Sequence, residues 1–179
     1  GLGKFDYIIV HGVYSWVPEV VREHILALSQ QLLTEYGIAY ISYNTLPGWR
    51  MRGILRDMLL YHARNASTPR EKLAKAYELF DLMEKSTHGL DALSVKYLRN
   101  EISSVRKVHP SYLYHEYMEE INQAFLFSQF ADDANRHGLQ YLCDVELGTA
   151  FPSTISEAAD TTLDAIEDFI ELEQYMDFV

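Results

Sequence analysis

The fold is decided by residues 5–44, which read FDYIIVHGVYSWVPEVVREHILALSQQLLTEYGIAYISYN. Two apolar runs rich in β-branched residues, 5–12 and 38–44, predict strands that are buried on both faces, as parallel strands usually are. Between them, apolar residues recur at helical spacing, namely Val21, Ile25, Leu28, Leu32 and Tyr36. They predict an amphipathic helix that Gly37 terminates as a C′ glycine. Strand, helix and strand in this order predict a right-handed βαβ unit with parallel strands.

Helical patterns follow the turn at residues 45–49. The predicted helices span about residues 50–64, 91–107 and 111–122, with a further helix that opens at the capping box Thr68-Pro69-Arg70-Glu71. A shorter helix is predicted from Ser128 to Gly138. It leads into a half-exposed strand over 139–147 that places Cys143 on its apolar side. The tail over 156–179 is helical in period and acidic.

Charge and composition exclude several classes of function. The chain has 179 residues, with 26 acids and 15 bases for a net charge of -11. Residues 110–179 hold 15 of the acids and a single base, Arg136, which argues against nucleic acid as a ligand because phosphate binding needs Lys and Arg. The single cysteine excludes an internal disulfide. No apolar run approaches the roughly 18 residues of a membrane span, and the start shows no signal pattern, so we expect a cytoplasmic protein with no membrane partner.

Several stretches resemble parts of class I S-adenosylmethionine-dependent methyltransferases. FDYIIVHGVYSWVP (5–18) resembles their fourth strand and its loop, EYGIAYISYN (35–44) the fifth strand, and FADDANRHGLQYLCDVEL (130–147) the late helix and sixth strand. Two further stretches, YNTLPGWRMRGILRDMLLYHAR (43–64) and the segment 112–142, resemble the methyltransferase regulatory domain of bacterial enzymes. Together these stretches cover most of the chain.

This resemblance implies an α/β fold with predominantly helical content. The sheet would be a partial Rossmann-like sheet of about three strands, interrupted by a helical insertion. The implied domains are a strand–helix–strand methyltransferase segment (1–48), a helical regulatory insertion (49–125), a helix and strand that return to the sheet (126–150), and an acidic helical tail (151–179) that we expect to be truncated.

The resemblance also implies a function. The chain would be the regulatory or substrate-recognition portion of a bacterial methyltransferase, with S-adenosylmethionine bound in the intact enzyme. Class I enzymes hold this cofactor on a Gly-rich turn after the first strand, and the chain has no GxGxxG motif. We therefore expect the segment alone to bind no cofactor and to be inactive, with an upstream cofactor-binding half as its partner. Some relatives methylate protein lysines, which implies a protein substrate. The alternative is a stand-alone protein-interaction module with no catalytic role.

The expected site lies beyond the carboxyl ends of the strands, where open α/β sheets bind ligands. By the resemblance, the backbone at His11 and Gly12 faces the methionine part of the cofactor in the intact enzyme. The side chains expected to bind substrate from the two loops are Tyr14, Trp16, Tyr43, Asn44 and Trp49. His11 is a candidate general base or a residue that only ends its strand, so the catalytic residues stay unassigned. Trp49 is either functional or a plug between sheet and helices.

Basic and metal-ligating residues give weaker predictions. Arg52 and Arg56 lie one turn apart and are expected to bind an acidic substrate or the acidic end of this chain, the alternative being a solvated helix face. Pairs such as Asp133 and His137 have the spacing of metal ligands on a helix but lack a third ligand, so no metal site is predicted. The strand over 6–10 lacks a neighbour, and its exposed edge predicts a homodimer.

Overall fold

The computed structural model describes residues 3–146 and 151–179, and the chain divides into two compact units. We call Gly1–Trp49 together with Ile121–Val179 the sheet unit, and Arg50–Glu120 the helical unit. The helical unit falls inside the range 49–125 that the sequence suggests for a regulatory insertion.

The first part of the sheet unit is a βαβ arrangement. Its elements are β1 (Phe5–Val10), a 3-10 turn (Tyr14–Trp16), α1 (Glu19–Leu32) and β2 (Leu33–Ile41). The two strands pair in parallel, with Tyr7 opposite Ile38 and Val10 opposite Ile41. The predicted strand order and the parallel direction are therefore confirmed.

Gly37 has a different role from the predicted one. The helix α1 ends at Leu32, and Gly37 lies inside β2 without a positive φ. A Cβ atom at Gly37 would lie 2.9 Å from the carbonyl oxygen of Phe5. The prediction of a C′ glycine was wrong. The position needs glycine because the backbone of β1 comes so close, near the irregularity in register between Phe5 and Tyr7.

The buried face of α1 is displaced by one residue from the predicted stripe. Arg22, Leu26 and Ser29 are buried, whereas Leu28 is 49% exposed and Tyr36, in β2, is 88% exposed. The displacement is explained by the hydrogen bonds of the buried Arg22 side chain. The Arg22 guanidinium donates hydrogen bonds to the Val17 carbonyl oxygen at 2.6 Å and to Gln123 Oε1 at 2.9 Å, so this face of α1 turns inward.

The strand β1 is more exposed than predicted. Tyr7 and Ile9 are each 72% exposed, so the prediction of a strand buried on both faces was wrong for this chain. Among the described residues, the sheet that contains β1 has only the two strands β1 and β2. The described residues therefore do not cover both faces of β1.

A second pair of short strands lies in the sheet unit. They are β3 (Asn44–Thr45) and β4 (Ala124–Phe125), and they pair in parallel. In the part of the chain that the structure describes, the strands thus form two separate pairs instead of one sheet of about three strands. The fold remains mixed α/β and mainly helical, with small parallel sheets, as expected.

The predicted strand over 139–147 is not formed within residues 139–146, and Leu147 lies outside the described residues. Cys143 is exposed, so its predicted position on a buried side was also wrong. The described residues give this segment no strand to pair with. Tyr141 instead packs edge-on against Phe127, with ring centroids 4.7 Å apart, and lies 5.6 Å from the ring of Phe169.

The C-terminal helices of the sheet unit are shorter than the sequence pattern predicts. They are α6 (Phe127–Arg136), α7 (Pro152–Ile155), α8 (Glu157–Leu163) and α9 (Phe169–Met176). A single helix over 156–179 was therefore a wrong prediction. The helix α9 begins anew because Asp168 accepts a hydrogen bond from the Glu171 amide at 2.8 Å and acts as its N-cap.

The helical unit contains four helices around one apolar core. They are α2 (Trp49–His62, of which Trp49 belongs to the sheet unit), α3 (Pro69–Ser86), α4 (Leu93–Val105) and α5 (Pro110–Met118). Fully buried side chains fill the core, among them Leu55, Leu59, Phe80, Ile102, Leu113 and Met118. The predicted capping box is confirmed at α3, where Thr68 and Glu71 exchange backbone and side-chain hydrogen bonds.

Candidate functional site at the carboxyl ends of the parallel strands

The carboxyl ends of β1 and β2 lie at one edge of the sheet because the strands are parallel. The Ser42 amide donates to the Val10 carbonyl oxygen at 3.0 Å, so the loops that start at His11 and at Ser42 leave the sheet side by side. The sequence predicted this juxtaposition of the two loops.

His11 is held at this edge by two hydroxyl groups. Its Nδ1 lies 3.0 Å from Tyr40 Oη and 3.1 Å from Ser42 Oγ. The imidazole also stacks on the Tyr40 ring, with centroids 5.7 Å apart. Because Nδ1 is occupied, the ring nitrogen Nε2 is the one that a ligand can use. Tyr40 and Ser42 are site residues that the sequence reasoning missed, although both belong to the strand end that it singled out.

Gly12 presents open backbone beside His11. Its φ of +66° lies in the left-handed region that favours glycine, and no atom lies within 4 Å of where a Cβ would be. The Gly12 amide donates to Ser42 Oγ at 2.9 Å, which ties the first loop to the second. His11 and Gly12 are both exposed, so a ligand can approach their backbone at close range.

Tyr14 and Tyr43 belong to an aromatic cluster below this edge, formed with Phe125 and Phe130. Tyr43 stacks on Phe130 at 4.3 Å between centroids, and Tyr14 meets Phe130 edge-on at 5.2 Å. Tyr14 is only 1% exposed. It therefore packs as a core residue in this structure, whereas Tyr43 is half-buried. Their role in substrate binding stays a prediction.

Both phenols of the cluster hold their protons firmly. Burial, and then the nearby charge of Asp133, raises the pKa of Tyr14 to about 12. Burial also raises the pKa of Tyr43, with further contributions from the carboxylates of Asp177 and Asp144. At neutral pH each is a neutral hydroxyl that can donate a hydrogen bond, and neither is a general base.

Ser15 links two chain segments at this site, the one that begins β3 and the one that precedes β4. Its hydroxyl accepts from the Asn44 amide at 2.8 Å, and its carbonyl oxygen accepts from the Gln123 amide at 2.8 Å. Asn44 Nδ2 also donates to Asn122 Oδ1 at 3.1 Å. The predicted site residue Asn44 is therefore engaged in holding β3 beside β4. The role of Ser15, which is 1% exposed, was missed because its partners are far away in sequence.

Trp16 and Trp49 meet at the outer ends of the two loops. Their rings pack edge-to-face with centroids 6.4 Å apart, and both side chains are half-buried. The structure thus brings together two residues that the sequence assigned to different loops of one site. An aromatic pair at a loop rim can contact a ligand on its open side.

Arg52 and Arg56 lie in the helical unit and differ in environment. Arg52 is close to two carboxylates, 3.9 Å from Glu101 and 3.8 Å from Glu116. Arg56 is only 9% exposed and donates from Nη2 to the carbonyl oxygen of Glu119 at 2.5 Å. The two arginines therefore do not share one open surface. The prediction of a solvated helix face was wrong for Arg56, because its guanidinium donates hydrogen bonds to carbonyl groups at the end of α5.

Within residues 3–146 and 151–179, no helix combines the length and the apolarity that crossing a membrane requires. In the same ranges, no group of three or more His, Cys, Asp or Glu side chains is placed to hold a metal ion.

A comparison with protein families identifies part of the chain. The family model described as "Predicted methyltransferase regulatory domain" matches residues 109–179. Over this range the sequence is similar to the methyltransferase regulatory domain. The resemblance seen in the sequence is thereby confirmed. The matched range covers α5 and the C-terminal part of the sheet unit, whereas the stretch 43–64 that also suggested the family lies before it.

Curated relatives of this chain come from bacteria. The uncharacterized protein RP789 of Rickettsia prowazekii (strain Madrid E) is 40% identical over 177 residues, which are 99% of this chain and 32% of RP789. The uncharacterized protein sll1526 of Synechocystis sp. (strain ATCC 27184 / PCC 6803 / Kazusa) is 30% identical, over 94% of this chain and 35% of sll1526. The chain spans about a third of the length of these relatives.

Solved structures with the same fold are methyltransferases. PKMT2 from Rickettsia typhi matches with a TM-score of 0.84 and 39% identity, over 99% of this chain and 33% of PKMT2. PKMT2 from Rickettsia typhi in complex with AdoHcy matches with a TM-score of 0.83 and 38% identity, over 99% of this chain and 34% of that protein. The chain is therefore methyltransferase-associated, and the AdoHcy-bound neighbour indicates that these neighbours belong to the S-adenosylmethionine-dependent class.

Proposed function

We propose that this chain is the regulatory and substrate-recognition portion of a longer S-adenosylmethionine-dependent methyltransferase. One observation carries the proposal. The loops that follow β1 and β2 lie side by side at one sheet edge, in a chain that matches an AdoHcy-bound structure over 99% of its length. These relatives are about three times as long as this chain, and a parent protein of that length would be long enough to contain the rest of such an enzyme.

In this proposal the cofactor is shared between the chain and the rest of the protein. The backbone of His11 and Gly12 would hold the methionine part of S-adenosylmethionine, and the open space beside Gly12, which would admit a ligand, supports this assignment. The Gly-rich motif lies in the part of the enzyme outside this chain. When bound, the cofactor supplies the methyl group. This chain positions the acceptor with the loops that carry Trp16 and Trp49, and the fixed imidazole of His11 can take up a proton.

The helical unit would then act on the acceptor side, as a docking surface or lid for a protein substrate. Its own apolar core makes it a separate compact unit, and lids of this kind gate access to the site in many enzymes.

The test is made on the full-length parent enzyme with residues 50–120 replaced by a short Gly/Ser linker. We expect AdoHcy binding, measured by calorimetry, to change less than about threefold. We expect kcat/KM for the natural acceptor to fall at least about tenfold. Unchanged kinetics on that acceptor would remove the proposed role of the helical unit. Loss of AdoHcy binding would mean that the sheet unit had collapsed, and Gly12→Val with the helical unit intact then tests the cofactor side alone, because a side chain there would occupy the open space beside the backbone.

We also propose that the free edge of β1 receives the next strand of the parent sheet. Among the described residues, the edge of β1 opposite β2 pairs with no strand, and an unpaired strand edge invites pairing with another strand. The exposed side chains of Tyr7 and Ile9 add an apolar face that is also uncovered. In the isolated chain the same edge would pair with a second copy. Light scattering on the isolated chain should then show a dimer that Ile9→Lys converts to a monomer, and a monomeric wild type would contradict the homodimer.

The alternative, a stand-alone interaction module, leads to the opposite expectation for the parent gene. A coding sequence that begins near Lys4, with no methyltransferase segment before it, would favour that alternative. A Gly-rich turn encoded upstream would favour the enzyme.

A further inference from the structure

A groove lies between two helices of the sheet unit, away from the strand edge described above. We call it the α6–α9 groove. Its volume is about 590 Å³. Its lining consists of acids, amides, aromatic residues and small polar or apolar residues, namely Ser128, Asp132, Asn135, Asp168, Ile170, Glu171, Gln174, Tyr175 and Phe178.

The lining positions follow one face of each helix. On α6 the positions 128, 132 and 135 are spaced by four and three residues. On and beside α9 the positions 168, 171, 175 and 178 are spaced by three, four and three. Positions with these spacings share a helix face. The groove therefore runs along the helices for about 10 Å, at 1.5 Å per residue, which is the length of a peptide of roughly three extended residues.

The groove is acidic. Asp132, Asp168 and Glu171 contribute three carboxylates, and the lining includes no Lys, Arg or His. The base closest along α6 is Arg136, whose guanidinium donates a hydrogen bond to Asp133 outside the lining and interacts electrostatically with Asp132. The carboxylate of Asp168 uses one oxygen to cap α9. Asp132 and Glu171 are both exposed and available to a cation.

Gln174 supplies an observation that does not depend on the acids. It is only 8% exposed. Its Oε1 accepts hydrogen bonds from the amide and from the hydroxyl of Ser128, each at 3.0 Å. These two bonds fix which end of the side-chain amide is the oxygen. Its Nε2 has no hydrogen-bond partner among the described residues. The Nε2 atom has almost no accessible surface. A buried donor without a partner costs free energy, so this position favours a ligand whose acceptor reaches the N–H after a small movement of the side chain.

The aromatic side chains add a third element. Tyr175 and Phe178 are 42% and 49% exposed, and their rings pack edge-to-face at 5.7 Å between centroids. Aromatic faces attract cations and also cover the apolar stems of Lys and Arg. A ligand that satisfies the carboxylates, the rings and the Gln174 donor together needs a cation on an alkyl stem and a carbonyl oxygen.

We propose that the α6–α9 groove binds a short peptide segment that carries arginine or lysine. The cationic side chains meet Asp132 and Glu171, their stems lie against Tyr175 and Phe178, and a backbone carbonyl accepts the hydrogen bond from Gln174 Nε2. This assigns to the acidic end of the chain a recognition role of its own, and it does not depend on the methyltransferase function proposed above.

The first experiment measures binding of a fluorescein-labelled pentapeptide of alternating glycine and arginine to the 179-residue chain by fluorescence anisotropy. We expect saturable binding that weakens with salt. Asp132→Asn combined with Glu171→Gln should weaken it about tenfold, since two exposed ion pairs are lost. The matched control is Asp164→Asn combined with Glu167→Gln. It removes the same charges from the same acidic tail outside the groove and should change the affinity less than about threefold.

Three results of this experiment overturn the proposal. One is the absence of saturable binding to the wild-type chain. Another is an equal loss in the two double variants, because net charge alone would then explain the attraction. The third is a concentration-dependent rise in mass by light scattering that Asp132→Asn with Glu171→Gln abolishes, without peptide binding, because the groove would then hold a second copy of the chain.

The second experiment tests the peptide backbone contact. Gln174→Glu keeps an oxygen for the Ser128 donors and removes the N–H donor. It should weaken peptide binding about threefold although it adds negative charge, and it should not weaken the binding of spermine, a polyamine without a carbonyl. Stronger binding of both probes would show that the groove selects only for charge and would overturn the peptide assignment. Thermal melting of each variant checks that the fold is retained.

Discussion

The helical unit and the sheet unit differ in how completely they bury their apolar side chains. The helical unit encloses an apolar core that draws fully buried side chains from α2, α3, α4 and α5. The buried cluster of the sheet unit is small, with Tyr14, Leu26, Phe125 and Ala134, while apolar side chains of β1 and β2 stay exposed. The helical unit is therefore stabilised from within, whereas the sheet unit presents apolar surface that further structure can cover.

The two tryptophans make this comparison measurable. Trp16 lies within the sheet unit, whereas Trp49 is the last residue before the helical unit and the first residue of α2. Tryptophan fluorescence in a Trp49→Phe background therefore reports on the sheet unit, whereas far-ultraviolet circular dichroism is dominated by the helices of both units. If the comparison is right, variants in the helical core should change the dichroism transition and leave the fluorescence transition in place.

The largest effect is expected for Phe80→Ala. Phe80 is fully buried in the helical core and meets Tyr77 edge-to-face at 5.9 Å. Removing a buried phenylalanine costs about 3–4 kcal/mol, because apolar contact is lost and a cavity remains. The dichroism midpoint in urea should fall strongly. Leu82→Ala is the control on the same helix, since Leu82 is 54% exposed, and it should cost less than about 1 kcal/mol. A fluorescence midpoint that falls as far as the dichroism midpoint would refute the separation of the units.

A smaller loss is expected for Arg56→Met. The change removes the guanidinium that donates hydrogen bonds to the carbonyl oxygens of Glu119 and Glu120 at the end of α5. Because Glu119 is only partly buried and Glu120 is exposed, the loss of these bonds from a charged donor should cost about 1–2 kcal/mol. Arg50→Met at an exposed position of α2 is the control and should be nearly neutral. If Arg56 instead served only as a surface cation, the two variants would unfold at the same urea concentration.

The sheet unit should respond to pH through Asp177. Burial, and then the charge of Asp144, raises the pKa of Asp177 to about 6 from its ordinary 3.8. The folded state then binds the proton more tightly than the unfolded chain, so stability is lost as the pH rises from about 4 to about 6. Asp177→Asn should raise the free energy of unfolding above pH 7 by about 1 kcal/mol, a value discounted for the solvent exposure of the side chain.

The same variant should have almost no effect near pH 3.5, where the wild-type carboxyl is largely protonated. Urea unfolding followed by tryptophan fluorescence at both pH values checks this, with Asp164→Asn as a control elsewhere in the acidic tail. A gain that is equal at both pH values would contradict the role of this carboxyl.

The smallest effect is expected for Ile9→Thr in the isolated chain. Ile9 is 72% exposed, so its loss should change the free energy of unfolding by no more than about 0.5 kcal/mol. In the full-length parent the same change should lower the melting temperature by several degrees if further structure covers the Ile9 side chain there. Equal behaviour in both settings would mean that β1 is an open surface in both.

Local patterns in the sequence predicted the parts of the fold that depend on near neighbours. The alternation of strand and helix over residues 5–44 and the capping box at Thr68 involve residues within one element or the next, and both were found. The inward face of α1 was displaced because Arg22 finds its partner in Gln123, 101 residues further along. Such a partner leaves no periodic signal in the helix itself, so an arginine on a helix is taken as exposed.

The candidate site likewise has a part that could be predicted from the sequence and a part that could not. The two loops at the strand ends could be located from the sequence, because parallel strands bring their carboxyl ends together. The hydroxyl groups that fix His11 could not, since they depend on the register between β1 and β2. The burial of Arg56 also escaped prediction, because the carbonyl groups that hold it become available only where α5 happens to end.

The pairing of β3 with β4 has a consequence for how such chains can diverge. Asn44 lies opposite Ala124 and Thr45 opposite Phe125, so the chain leaves the sheet unit and returns to it at the same point. The helical unit is thus a loop whose ends are already joined. The entropy of closing a loop grows only slowly with its length, by about 0.6 kcal/mol for each doubling. Relatives can therefore lengthen, shorten or exchange everything between the two strands at small thermodynamic cost, while the strand ends that carry His11 and Ser42 keep their geometry.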